Sequence, residues 1–392
     1  MKQNPTTYFT KSASQNVQSG FSLIELMVSI TIGLIILATL IAFYLNITTL
    51  NNESAKSNTE IENGRFAIQL LETDLEHAGF WGDFVPQFND LTLTTAPTDT
   101  PDSVPNVCLT YNPTNWNAAY FKNLIGIPIQ AYDDIPSGCS SIVTNKKANT
   151  SVLVIRHSEP CVAGVGNCEA DIAGKLYFQA SLCQSPLPAG MTVDSSPYIF
   201  STTSFNTLHK KDCTTVITDK RKFNSNIYYI RDYANTVGDG IPTLVLSQFD
   251  LSGTTLAHQA AVPLIEGIEG FNVELGIDSL SKSGTAVNYT QAITWTNPND
   301  LTSPINRGDG SPDGVFITCT TLSPCSADQL SNVVAVKLYV LARSRDSSPG
   351  YTDTKIYNLG STTLGPFNDN YKRHVFSTSV RLINVSTRRE TP

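Results

Sequence analysis

From Phe21 to Leu45 about 25 residues pass with Glu25 as the sole charged side chain. As a helix such a run is roughly 38 Å long, enough to cross a hydrocarbon core of about 30 Å. No other stretch of the 392-residue chain is comparably free of charge, so one crossing is the limit. The segment Met1–Gly20 in front of it is polar, with Lys2 and Lys11 and no acid. Positive charge ahead of a span predicts an N-terminus in the cytoplasm and everything after about Asn46 outside it.

Three readings of this segment compete. A secretory signal has an apolar region of about 7–15 residues and a small-residue cleavage site. The run here is about twice that long, and Tyr44-Leu45-Asn46-Ile47-Thr48 after it offers no such site. An uncleaved anchor is the stronger alternative. The third reading comes from the junction Gly20-Phe21-Ser22-Leu23-Ile24-Glu25-Leu26-Met27, with a basic leader before it and the apolar run after it.

That junction resembles the prepilin cleavage motif of type IV pilins and the related type II secretion pseudopilins. The resemblance implies that a membrane prepilin peptidase cuts between Gly20 and Phe21, that Phe21 is then N-methylated, and that Glu25 directs assembly. A glycine before the cut lets an extended backbone approach a protease closely. Glu25 is costly in a bilayer unless it reaches the interface or finds a partner. Cleavage would create such a partner, a cationic amine on Phe21 of a neighbouring subunit. Losing one member of a buried ion pair costs on the order of 3–5 kcal/mol while keeping both is near neutral, so the pair would act as a register check. A tolerated interfacial carboxylate is the alternative for Glu25.

Beyond the span the chain lacks proline from Asn51 to His77 and reads as a continued helix. Ile61, Ile68, Leu71 and Leu75 fall on one stripe, with charged residues over much of the remainder. Gly64 interrupts this helix at a cost of about 1 kcal/mol, a position for close packing of another segment. The helix is expected to stop near Ala78-Gly79, because glycine favours the position just past a helix end.

The exit, Arg65-Phe66-Ala67-Ile68-Gln69-Leu70-Leu71-Glu72-Thr73-Asp74-Leu75-Glu76-His77-Ala78-Gly79-Phe80-Trp81-Gly82, is similar to the post-helix segment of the PilW family of minor pilins. Four later stretches resemble the same family in the same order: Tyr229–Leu244, Leu264–Phe271, Val336–Arg343 and Arg373–Arg389. The resemblance implies an α+β, pilin-like fold in three parts. These are a cleaved leader over 1–20, a spine helix over 21–79 whose first half (21–45) lies in the inner membrane, and an exported β-rich domain over 80–392. It implies as partners the prepilin peptidase, other minor pilins and the major pilin. The expected role is priming of pilus assembly, with a final location in the pilus, or fimbrium, and twitching motility as the phenotype. A minor pseudopilin of a type II secretion system is the alternative, and an anchored exported binding protein or enzyme a more distant one.

The exported part reads as strands at Ser151–Arg156, Lys175–Gln179, Asn226–Arg231, Thr243–Phe249, Gly270–Gly276, Val333–Ala342 and Val375–Val385, rich in Val, Ile, Tyr and Phe between Gly, Pro and Asn clusters. Long connections at 94–106, 184–197, 279–313 and 344–371 are the expected contact surfaces. All eight cysteines follow the span, as disulfides in an oxidising compartment require. Eight cysteines allow 105 pairings. Nearest-neighbour pairing gives Cys108–Cys139, Cys161–Cys168, Cys183–Cys213 and Cys319–Cys325, and the two short loops are the firmest. Neither short pair has the close spacing zinc prefers.

A formal charge of −8 argues against general binding of nucleic acid. No nucleophile elbow, zinc-protease helix or phosphate loop is present, and the five histidines are isolated in sequence, so neither an enzyme nor a cofactor is expected. Asn306–Gly314 is the one oxygen-rich, glycine-rich segment: either an acidic turn or a calcium loop without the EF-hand order. Lys372, Arg373, His374, Arg381, Arg388 and Arg389 bias the C-terminus positive. Solvent-facing charge is the expected reading, with a DNA- or surface-binding patch as its alternative.

Overall fold

A computed structural model describes residues 20–184, 187, 191–299 and 301–390; most of the expected leader, residues 1–19, lies outside them. Two units divide the chain, residues 1–55 and 56–392. The long helix α1, Leu23–His77, contributes to both.

In the first unit every residue from Gly20 to Asn52 is exposed, apolar and polar alike. The few hydroxyls in the apolar run are satisfied by the helix itself. Ser29 donates to the Glu25 carbonyl (2.7 Å), Thr31 to Met27 (2.9 Å), Thr39 to Ile36 (2.8 Å) and Thr48 to Tyr44 (2.9 Å). Along the run such a helix satisfies these hydroxyls with its own carbonyls, as an apolar surrounding demands.

The second unit contains the remainder of α1, short helices α2 (Ala118–Gly126), α3 (Ala327–Ser331) and α4 (Ile383–Ser386), and fifteen strands. Strands β1 (Ile129–Tyr132), β2 (Val152–Ser158), β3 (Tyr177–Ala180), β4 (Tyr198–Ser201), β5 (Lys220–Arg231), β6 (Thr243–Ser252), β7 (Thr255–His258) and β8 (Val262–Glu266) form one antiparallel sheet. Its centre is β5, which pairs β2 along one edge and β6 and β3 along the other parts of its length. A second sheet, ordered β15-β12-β9, takes β9 (Ile268–Ile277), β12 (Val333–Arg343) and β15 (Arg373–Arg381), with Leu338 opposite both Val273 and Thr378. Two small hairpins interrupt the long connections: β10 (Trp295–Asn297) with β11 (Thr302–Pro304), and β13 (Tyr357–Leu359) with β14 (Thr362–Leu364).

One core joins α1 to both sheets. Ala67, Leu71, Leu75 and Ala78 pack with Leu153, Ile155, Tyr228 and Ile230 of the larger sheet and with Phe271, Val273, Val336, Leu338 and Val340 of the smaller. The buried face of α1 is Glu60, Gly64, Ala67, Leu71 and Leu75, not the stripe through Ile61 and Ile68, which stay half-buried. Small residues replace the expected isoleucines because a ring needs the space: a Cβ at Gly64 would collide with the Phe376 side chain from β15. An aromatic second core gathers Trp81, Trp116, Phe178, Phe200, Phe223 and Phe249.

Gly79 ends the helix at φ +71°. Asn384 donates to the carbonyls of Glu76 (2.9 Å) and Ala78 (3.3 Å), so the C-terminal segment closes the open end of the spine. This explains a boundary that differs from expectation. The last strand stops at Arg381: Leu382 still donates to the Val334 carbonyl (2.8 Å) but is buried and leads into α4, so the strand does not extend to Val385. Four disulfides join Cys108 to Cys139, Cys161 to Cys168, Cys183 to Cys213 and Cys319 to Cys325, and no described cysteine is free.

Candidate functional site

Residues 20–22 precede the helix in a non-helical stub. Phe21 is 87 % exposed, and nothing lies within 4 Å of a Cβ built at Gly20. A peptide bond so placed can enter a protease cleft without unwinding a helix. Ser22 and Glu25 then form a reciprocal cap. The Glu25 N–H donates to Ser22 Oγ (3.2 Å), and the Ser22 N–H donates to Glu25 Oε2 (3.0 Å). Two orphan donors of the first turn are satisfied in this way. Neither reading of Glu25 from the sequence, assembly residue or tolerated interfacial carboxylate, included a cap; the Ser-x-x-Glu spacing is the signal for it. The cap also holds the carboxylate beside the backbone next to Phe21, where a terminal amine would appear after cleavage.

The spine is tied to the sheets by polar contacts as well as packing. Asp74 accepts hydrogen bonds from Asn226 Nδ2 (2.9 Å) and Tyr228 Oη (2.9 Å) and meets His157 Nε2 at 3.0 Å. Burial opposes the charged form of His157, but the hydrogen bond and charge of Asp74 outweigh it and lift the imidazole pKa above its ordinary value. His209 is likewise paired, with Asp194 at 2.7 Å. His258 is pushed down to about 3, first by burial and then by the Arg156 charge. These histidines are structural ties.

The C-terminal cations do not form the expected solvent-facing set. Arg373 has a fully buried side chain, with Glu269 at 2.5 Å, Asp353 at 2.8 Å and Asp369 at 2.6 Å. Burial disfavours its charge, and Asp369 and Glu269 more than restore it. Arg389 is also buried, donating to Asn89 Oδ1 (2.8 Å), Asn332 Oδ1 (2.8 Å) and Asp278 Oδ2 (3.2 Å). Arg381 pairs with Glu390. Residue counting could not separate these roles, because an arginine among internal carboxylates looks the same in sequence as one in water.

The segment 306–314 wraps the same internal pair. The N–H groups of Asp309 (3.1 Å) and Gly310 (3.0 Å) donate to Asp278, while Asp313 accepts from Ser279 (2.7 Å) and Leu280 (2.6 Å). The cation held there is the Arg389 guanidinium. Among the described residues no group of three or more His, Cys, Asp or Glu is placed to hold a metal ion.

Comparison with known proteins follows the same division of the chain. Residues 15–41 match the prokaryotic N-terminal methylation motif, and residues 227–384 match the family described as type IV pilus-assembly protein W. The second match begins in β5 and ends at Asn384, the residue that caps α1. No single curated protein matches the sequence. Among solved structures, a type IV-like pilin from Thermus thermophilus aligns at 13 % identity with a TM-score of 0.28, covering 83 % of this chain and 97 % of that one. The chain thus carries the methylation motif ahead of a region similar to the type IV pilus-assembly protein W family.

Proposed function

We propose that this protein is a minor pilin that primes type IV pilus assembly. A prepilin peptidase removes residues 1–20, Phe21 is N-methylated, and α1 moves from the inner membrane into a bundle with other minor pilins and the major pilin. Glu25 pairs with the Phe21 amine of a neighbour and fixes the stagger between helices. The exported unit, held by its disulfides, supplies the contact surfaces in the periplasm and then on the fibre.

The observation that carries this reading is the coincidence, at one helix start, of an exposed Gly20–Phe21 bond, a capped Glu25 and an apolar surface on every side of the helix. Intact-mass analysis of the protein purified from its membrane tests it. The expected mass is that of residues 21–392 plus one methyl group. Retention of Met1–Gly20 would support an uncleaved anchor and overturn the proposal. Deletion of the gene separates the pilus from the secretion reading: loss of surface pili and twitching supports the first, and loss of secreted enzymes supports the second. The size of the exported unit favours the first.

A further inference from the structure

A groove of about 720 Å³ opens between the segment 85–94, the β10–β11 hairpin and the C-terminal turn. Its walls carry Val85, Leu91, Leu93, Ile293, Trp295 and Leu301. Val85 is 40 % and Leu301 55 % exposed, so large apolar side chains stand open to water around one concavity.

Arg388 lines the same groove and is the anomaly in it. Every other buried or half-buried C-terminal arginine described above has a carboxylate partner. Arg388 has none: its one hydrogen bond among the described residues goes from Nη2 to the Phe84 carbonyl at 3.4 Å. Burial alone lowers its pKa to about 10. The two acids on the rim are otherwise engaged. Glu390 pairs with Arg381, and Asp90 accepts from the Thr92 N–H (2.9 Å) and hydroxyl (2.6 Å). A guanidinium that is partly desolvated and lacks a counter-charge is unfavourable in isolation, and a carboxylate delivered from outside would relieve it with charge-assisted hydrogen bonds. Leu91 and Thr94 also line the groove, and among the described residues their backbone N–H groups have no acceptor, so a peptide main chain has donors to meet there and an acyl chain does not.

We propose that this groove docks a segment of another protein chain that presents a carboxylate among large apolar side chains, the carboxylate pairing with Arg388. Nothing in the argument uses cleavage, methylation or the membrane helix, so it stands apart from the assembly reading.

The test titrates the full chain in nanodiscs with the capped peptide acetyl-LFEL-amide and its glutamine counterpart acetyl-LFQL-amide. Trp81 and Trp116 are buried in the aromatic core, whereas Trp295 is half-buried on the groove, so a blue shift in emission that disappears in Trp295→Phe reports occupancy. The expected result is saturable binding of the glutamate peptide, about tenfold tighter than the glutamine peptide. In Arg388→Met that preference vanishes while the unfolding temperature is unchanged or higher, because an uncompensated cation has been removed. Arg388→Lys, which keeps the charge without the planar fork, retains part of the preference. Equal affinities for the two peptides, absence of saturable binding, or an intact preference in Arg388→Met overturns the proposal. So does phenylbutyrate binding as tightly as the glutamate peptide, which would make the occupant a free small carboxylate.

Discussion

Glu60 is a carboxyl on the buried face of the spine, 5 % exposed. Burial raises its pKa from 4.5 to about 7, against the opposing charges of Lys372, Arg373 and Lys355, and Asp353 adds to the rise. A folded-state value above the unfolded one means the native protein binds this proton more tightly. The contribution of Glu60 to stability is therefore fully present below about pH 4.5 and is lost as pH rises through 7, where the native state must carry a desolvated charge. A rise of this size corresponds to roughly 3 kcal/mol, and solvent relaxation around the site leaves about 2 kcal/mol. Glu60→Gln keeps the shape and removes the titration. Unfolding of the full chain in nanodiscs, followed by tryptophan emission, should show no difference between variant and native protein at pH 4.5. At pH 8 the variant should be about 2 kcal/mol more stable, a gain of roughly 3–6 °C for a unit of this size. Comparison at each pH cancels the titration of His157, which has the same sign. A variant less stable than native at pH 8 would refute the reasoning, because it would show Lys372 and Arg373 holding Glu60 charged at a profit.

Other perturbations probe the remaining ties. Arg373→Met strands Glu269, Asp353 and Asp369 around an apolar side chain and should cost about 3–5 kcal/mol in chemical denaturation at pH 7. Asp74→Asn removes the charge that lifts His157. The support it gives is fully present below about pH 6.5 and fades as pH rises through the elevated folded value, so the variant's deficit should be larger at pH 6 than at pH 9. Gly64→Ala gains about 1 kcal/mol of helix propensity but drives a methyl into the Phe376 ring, for a net loss of about 1–2 kcal/mol that Phe376→Leu should largely restore in thermal melts. Glu25→Ala should leave the mature mass unchanged apart from the substitution and deplete the protein from sheared pili; normal incorporation would remove the basis of the pairing argument.

What could be read from the sequence depended on whether the relevant energy was local. The apolar run, the glycine stop at Gly79, the Ile- and Tyr-bearing half of β5 and the branched or aromatic residues of β9 and β12 announce themselves because composition and period act over a few residues. The disulfides join sequence neighbours, so short loop closure is enough to suggest them. Three-residue hairpins such as β10–β11 and β13–β14 carry too little pattern to stand out from the long connections that hold them. The spine's true buried stripe was hidden for a different reason. Gly64 and Ala67 are selected by the volume of Phe376 and the sheets, and Glu60 by a cluster of charges from β15 and its approach, none of which lies near α1 in sequence. The same holds for Arg373 and Arg389, whose partners lie up to 300 residues away.

The helix start then sets a constraint on how such a protein can move. Seventeen large apolar side chains from Phe21 to Leu45 are exposed around the whole circumference of α1. At about 1.5–3 kcal/mol for each side chain withdrawn from water, their combined burial is worth roughly 25–50 kcal/mol. The net stability of a folded domain is only about 5–15 kcal/mol. No contact made by the exported unit could compensate for a passage of this helix through water, so cover must be continuous, with lipid on one side of the transfer and apolar helices on the other. Continuous cover is also undiscriminating, since lipid tails and leucines are equally apolar and any stagger between helices buries similar area. On the proposed assembly, registration would come from a polar group whose isolation is expensive. Glu25 is the only charged side chain in the run, and its cap with Ser22 holds it at the end where the new amine would form. In the proposed assembly the apolar surface demands cover without choosing among neighbours, and one carboxylate would decide the alignment.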